Sequence, residues 1–450
     1  MRSTKFVSIL LLCLAAVGCG ANPGTQSKLF PASNPDPTST STSTSSSDVT
    51  ALTVNNTSAA NAFVNQSNGN LGANNVSKVN VHSLLYSGAT TKILAHLLLW
   101  FGGSNHMNVG YKSNDAGQVE RQVKDMISRG IDGVVIDWYG PNNAVDEATK
   151  LVMHEAEKHA GFSFAIMIDG GAMKNACSGC SPQEALTQLL QYVEKTYFNS
   201  PAYFAIQGQP VVTNFNVDRS VDWQAANGAL KRPPRFLFQD QDGFRHAMSD
   251  GSYSWVMPGA GDYGLDYLSS FYQTGQASPK TETMGATYKG FDDALAGWGS
   301  GRAIEQQCGQ TWLRTFAKIN SMYSASRQLP YLQLVTWNDY EEATEIESGI
   351  DSCFSLEASV SDNTLEWTTN GNENTVDHYA VFSSADGKKL TPLTQTAPGV
   401  HSVDLCSLSI PAGNDSLLVQ AVGKPMLANR MPGAVKFFCQ YRVPSSPSKA

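Results

Sequence analysis

Between residues 92 and 337 short apolar runs alternate with helical stretches, and few folds accommodate that rhythm. The runs 93–100, 131–139, 162–168, 210–215, 235–238, 253–257, 282–287 and 331–337 read as strands. Residues 116–130 read as a helix, with Val119, Val123, Met126 and Ile127 on one face and Gly130 as its stop. Further helices fall at 143–159, at 182–198 with Ser181 capping ahead of Pro182, and at 311–326. After strands four to six the helices are short or irregular. Eight strands interleaved with helices predict an α/β fold, a (β/α)8 TIM barrel, whose usual size is about 250 residues. A doubly wound open sheet is the alternative, but no glycine fingerprint follows the first strand.

The last run changes character where it ends. Leu332, Leu334 and Val335 are apolar; then come Trp337, Asn338, Asp339, Tyr340, Glu341 and Glu342. An apolar strand ending in aromatic, amide and carboxylate groups is what the catalytic C-terminal rim of a barrel looks like in sequence. If the chain turns helically after Asn338, Asp339 and Glu342 share a face with Cβ atoms about 5–6 Å apart. Two such carboxyls can flank one glycosidic bond, one protonating the leaving oxygen, the other activating water or attacking. If the strand runs on, Asp339 and Glu341 share a face instead, so Glu341 is held in reserve. The other strand ends carry Asp137-Trp138-Tyr139, Asp169, Gln239-Asp240 and Asp292-Asp293. The expected substrate-binding set is Asp137, Trp138, Tyr139, Trp100, His96, Asp169 and Asp240, joined by Trp337, Asn338 and Tyr340 beside the acids; His106 is a further mouth residue. Asp132 stands at the start of its strand and reads as structural.

Outside the barrel the chain is equally distinctive. Arg2 and Lys5 precede an apolar stretch, 6–17, too short to span a bilayer with ease. It ends in Ala16-Val17-Gly18-Cys19, similar to the bacterial lipoprotein box, which makes residues 1–19 a signal peptide and Cys19 a lipidation site anchoring the protein to a membrane. Plain signal-peptide cleavage is the alternative, and both readings export the chain to the cell envelope, periplasm or exterior. Residues 20–75, rich in Ser, Thr, Asn and Pro, read as a disordered tether. Of the eight cysteines, Cys13 and Cys19 fall in the leader. An oxidising compartment and proximity in sequence suggest pairing Cys177 with Cys180, Cys308 with Cys353 and Cys406 with Cys439. The barrel is expected over 85–355. From about Leu356 short strands parted by turn residues predict a β-sandwich over 356–443, its Trp and Tyr placed much as in fibronectin type III modules. Packing on the barrel, spacing it or binding glycan are its expected roles. A formal charge of −8 argues against nucleic acid, and no zinc framework or phosphate loop is present.

Thr336-Trp-Asn-Asp-Tyr-Glu-Glu-Ala-Thr-Glu-Ile-Glu347 resembles the last-strand motif of glycoside hydrolase families 71 and 99. Ala95-His-Leu in the first strand and Gly130-Ile-Asp-Gly-Val-Val-Ile-Asp-Trp-Tyr139 in the second add to the likeness. The resemblance implies a TIM barrel that cleaves α-1,3-glucan or α-mannan without metal or organic cofactor, with the motif acids on Asp339 and Glu342. Asp at the first position is closer to family 71; the following Glu-Ala-Thr-Glu-Ile-Glu is closer to family 99. A second-strand acid, important in family 71, would be Asp132 or Asp137. The alternative function is a surface lipoprotein that binds glycan without cleaving it.

Overall fold

A computed structural model describes residues 75–217, 221–259, 261–387 and 389–437. The signal peptide, Cys19, nearly all of the tether and Cys439 lie outside the described residues.

Eight parallel strands form the barrel: β1 (Lys92–Leu98), β2 (Gly133–Trp138), β3 (Ser163–Asp169), β4 (Gln209–Phe215), β5 (Arg235–Gln239), β6 (Gly251–Tyr253), β7 (Glu282–Thr287) and β8 (Tyr331–Leu334). Each pairs with its neighbours in chain order, β3 pairs with β4, and β8 returns to β1, so the sheet closes. That closure excludes the open-sheet alternative. The helices longer than four residues are α1 (Ala116–Ser128), α2 (Ala144–Ala156), α3 (Pro182–Thr196), α4 (Trp223–Gly228), α5 (Leu265–Ala277) and α6 (Gln310–Met322), among the described residues. Ser181 caps α3 through a reciprocal capping box with Glu184.

The pleat decides which side chains reach the site. Leu94, Val135, Ala165, Met167, Val211, Leu237, Tyr253 and Met284 fill the barrel interior. Their neighbours, among them Ile93, Val134, Ile136, Trp138, Phe164, Ile166 and Leu332, face outward onto Val119, Val152, Leu189 and Phe316 of the helices. On β2 the period of two therefore sends Val135 and Asp137 inward and Trp138 outward. Close pairing of β2 with β3 requires glycine at 133, because a Cβ there would strike the Ser163 carbonyl. Ile127, expected on the buried face of α1, is 38 % exposed, since it lies one step round the helix from Met126.

Beyond the barrel, β9 (Ser355–Ser361), β10 (Thr364–Asn370) and β13 (Ser402–Asp404) form one antiparallel sheet. The strands β11 (Val376–Ser384), β12 (Thr391–Thr396), β14 (Ser416–Gly423) and β15 (Val435–Lys436) form another. Leu356, Leu365 and Trp367 from the first share one core with Tyr379, Val381, Leu417 and Val419 from the second. This β-domain is seated on the barrel through Met426 and Leu427, which join the barrel's outer core. There the Ile350 N–H donates to the Met426 carbonyl at 2.8 Å, the Ala428 N–H donates to the Ile350 carbonyl at 2.9 Å, and the Trp312 indole donates to the Pro425 carbonyl at 3.1 Å. Disulfides join Cys177 to Cys180 and Cys308 to Cys353. Cys406 is exposed, its expected partner lying outside the described residues.

Candidate active site

Four carboxyls gather at the C-terminal ends of the strands. Asp137 ends the inward face of β2 and Asp169 is the last residue of β3. Asp339 and Glu342 follow β8, where the strand gives way to a turn. There the Asp339 N–H donates to Thr336 Oγ1 at 2.8 Å, and the N–H groups of Glu341 and Glu342 both donate to Asp339 Oδ1 at 3.0 Å. That turn puts Asp339 and Glu342 together and frees Glu341 to point elsewhere. Glu341 accepts from His106 Nδ1 at 2.9 Å and from the Met107 N–H at 3.0 Å, anchoring the loop after β1.

Asp169 accepts the Gly171 N–H at 2.6 Å and the Tyr139 hydroxyl. A Cβ at Gly171 would meet both the Tyr139 ring and the Asp169 carboxylate, which accounts for the glycine after this acid. Asp137 Oδ1 is buried with no hydrogen-bond partner among the described residues. Glu342 Oε1 accepts the Trp298 indole N–H at 2.9 Å.

Crowding of like charges in a dry place sets the electrostatics. Burial pushes the Asp137 carboxyl well above the ordinary range, with Asp169, Asp339 and Glu342 adding repulsion. Asp339 is also pushed well up, by burial first and then by Glu342, against the pull of the two main-chain donors. Burial raises Glu342 as well, opposed by the Trp298 N–H and the Arg302 charge. Burial raises Asp169, opposed by the Gly171 and Tyr139 donors. The group therefore titrates as a coupled set that retains protons where isolated carboxyls would have lost them. Among the described residues no cluster of three or more His, Cys, Asp or Glu is arranged to hold a metal ion.

Aromatic rings wall the acids. Trp100 stacks on His106 at 4.6 Å and meets Tyr139 and Trp298 edge-on, each at 5.8 Å. Deeper in, His96 lies edge-on to Trp255 at 4.7 Å. Burial takes His96 down to about 3, so it is a neutral imidazole at ordinary pH. Asp240, the residue after β5, stands at a strand's C-terminal end and accepts the Tyr267 hydroxyl.

Four expected substrate-binding residues are packed away instead. Trp138 faces α2, donates to Asp146 Oδ1 at 3.1 Å and stacks on Tyr192. Trp337 is fully buried beneath the Arg129 guanidinium, 4.9 Å from its ring centre. Asn338 clamps β1, accepting the Leu98 N–H and donating to the Leu98 carbonyl, both at 2.9 Å. Tyr340 packs on Phe101 and donates to Glu347 at 2.7 Å. In each case the side chain holds the rim together rather than facing into it. Arg129 completes this backing: it donates to the carbonyls of Ile346 and Glu347 at 3.0 and 2.9 Å and pairs with Asp125. Trp255 and Trp298 were not expected at the rim. Trp255 is two residues past β6, and Trp298, between two glycines in a loop, is the signal that could have been read.

No family model and no curated protein matches the sequence. Among solved structures, the chain is similar to the GH99 endo-alpha-mannosidase of Bacteroides thetaiotaomicron, in complex with BIS-TRIS-propane, at 16 % identity and a TM-score of 0.48. A second structure of that protein gives 15 % and 0.46. Both matches cover 61 % of this chain and 90 % of the other. The likeness is one of barrel fold, and the barrel itself rests on the strand pairing described above.

Proposed function

We propose that this protein is an exported glycoside hydrolase that cleaves α-linked polysaccharide, α-1,3-glucan or α-mannan, with Asp339 and Glu342 as its catalytic pair. The observation that carries the reading is the meeting of these two carboxyls on the rim of a closed barrel, both raised by burial, beside a wall of aromatic rings. Glu342, half-buried and facing the rings, is the general acid that gives its proton to the glycosidic oxygen. Asp339, whose Oδ1 is fixed by two main-chain N–H groups, serves as base or nucleophile. Trp100, Tyr139 and Trp298 offer ring faces to sugar, and Asp137, Asp169 and Asp240 offer acceptors to its hydroxyls. Export through residues 1–19, with a lipid anchor at Cys19, belongs to the same proposal.

The test is to incubate the purified protein with α-1,3-glucan and with α-mannan and follow reducing ends. Asp339→Asn and Glu342→Gln should each lower release by about 10²–10⁴-fold while thermal unfolding stays cooperative. Release that survives both substitutions overturns the assignment. Binding without release by the wild type across a glycan panel would favour a glycan-binding protein. Cys19→Ser should move the protein from the membrane fraction to the soluble one.

A further inference from the structure

Trp298 stands at the tip of a hairpin closed by the two-residue strands Phe291–Asp292 and Ala303–Ile304. Trp298 is 49 % exposed and meets Trp100 and His106 edge-on, at 5.8 and 6.2 Å. The hairpin beneath it is fixed. Asp293, fully buried, accepts the N–H groups of Ser300 and Arg302 at 3.1 and 2.8 Å and the Arg302 Nε–H at 2.8 Å. The Arg302 guanidinium covers the Phe291 ring at 5.4 Å. The hairpin is also stitched to the acid-bearing turn, because the Asp292 N–H donates to the Glu342 carbonyl at 2.9 Å. Its base thus holds the Glu342 main chain while its tip donates to the Glu342 carboxyl.

We propose that Trp298 is the positioning residue for Glu342, its indole N–H holding the carboxyl in one orientation while its ring completes the sugar-facing wall with Trp100. An indole N–H can only donate, so it favours the anion over the protonated acid. The hairpin therefore limits how long Glu342 keeps its proton as pH rises. The catalytic part of this inference rests on the hydrolase reading; the effect on Glu342 does not.

Trp298→Phe keeps a ring and removes the donor; Trp298→Ala removes both. The Glu342 carboxyl is followed by carbon-13 NMR titration, its signal assigned by comparison with Glu342→Gln. Both variants should move its midpoint up by about half to one pH unit. In hydrolysis assays the alkaline limb of the kcat/KM profile should move up by the same amount in both, while KM should rise several-fold in Trp298→Ala and little in Trp298→Phe. An unchanged Glu342 midpoint in Trp298→Phe overturns the inference. A midpoint that moves in a protein that cleaves no glycan leaves the positioning role standing and removes the hydrolase reading.

Discussion

Asp137 shows what the rim asks of single residues. Its carboxyl is buried, lacks a partner on Oδ1 among the described residues, and faces three other acids. Its pKa is raised in the folded protein, so its contribution to stability is fully present below the unfolded carboxylate value of about 4. That contribution is lost as pH rises through the raised value. Asp137→Asn, which cannot ionise, should therefore raise Tm by about 2–4 °C at pH 7.5 and leave it unchanged near pH 4. Parallel Tm profiles for variant and wild type across that range would refute the charge argument. Trp138 gives the contrasting case. Trp138→Phe should lower Tm, because Asp146 loses a donor, yet leave kcat/KM for glycan within about twofold of the wild type.

At the scale of elements, the strong strands were legible and the rim was only half legible. β1 to β3 and α3 carry their period and caps in plain view. Strand six was expected over 253–257, but the ladder runs over Gly251–Tyr253, before the aromatic run that suggested it. Strand eight was expected to reach residue 337 but stops at Leu334; beyond it Thr336 bonds to Thr344 and Trp337 to the His96 carbonyl. That early stop is why the i, i+3 reading of Asp339 and Glu342 fits the turn and why Trp337, Asn338 and Tyr340 face away from the mouth. Residue type suggested aromatic and amide groups for sugar; only the tertiary path shows that these three brace β1 and α1. In the β-domain β9 alternates Leu356, Ala358 and Val360 onto the core, a period legible in sequence, whereas β12 offers only Leu393. The capping box of α3 allows a local test: Ser181→Ala should cost about 1 kcal/mol in urea unfolding, with the midpoint moved and the slope unchanged.

For the whole molecule, the seat of the β-domain matters more than its position in sequence suggests. Met426 and Leu427 are fully buried in the core that wraps the barrel, next to Ile350 and Ile346. The two bodies should therefore unfold together. Leu427→Ala should cost about 2–5 kcal/mol and move a single calorimetric transition downward. Two transitions in the wild type, only one of them sensitive to Leu427, would mean that the bodies are independent. This seat accounts for one expected role of the domain, packing against the barrel, through a loop that no strand pattern announces.

The burial of Arg129 has a last consequence. Arg129, the residue that caps the C-terminus of α1, grips the far side of the acid-bearing turn and lies on Trp337, so the turn is braced from behind whether or not a sugar chain is present. Under the proposed hydrolase reading, the resting protein is already shaped for glycan, which should find its seat rather than mould it. Amide hydrogen exchange over residues 336–347 should be as slow in the empty protein as in one saturated with oligosaccharide.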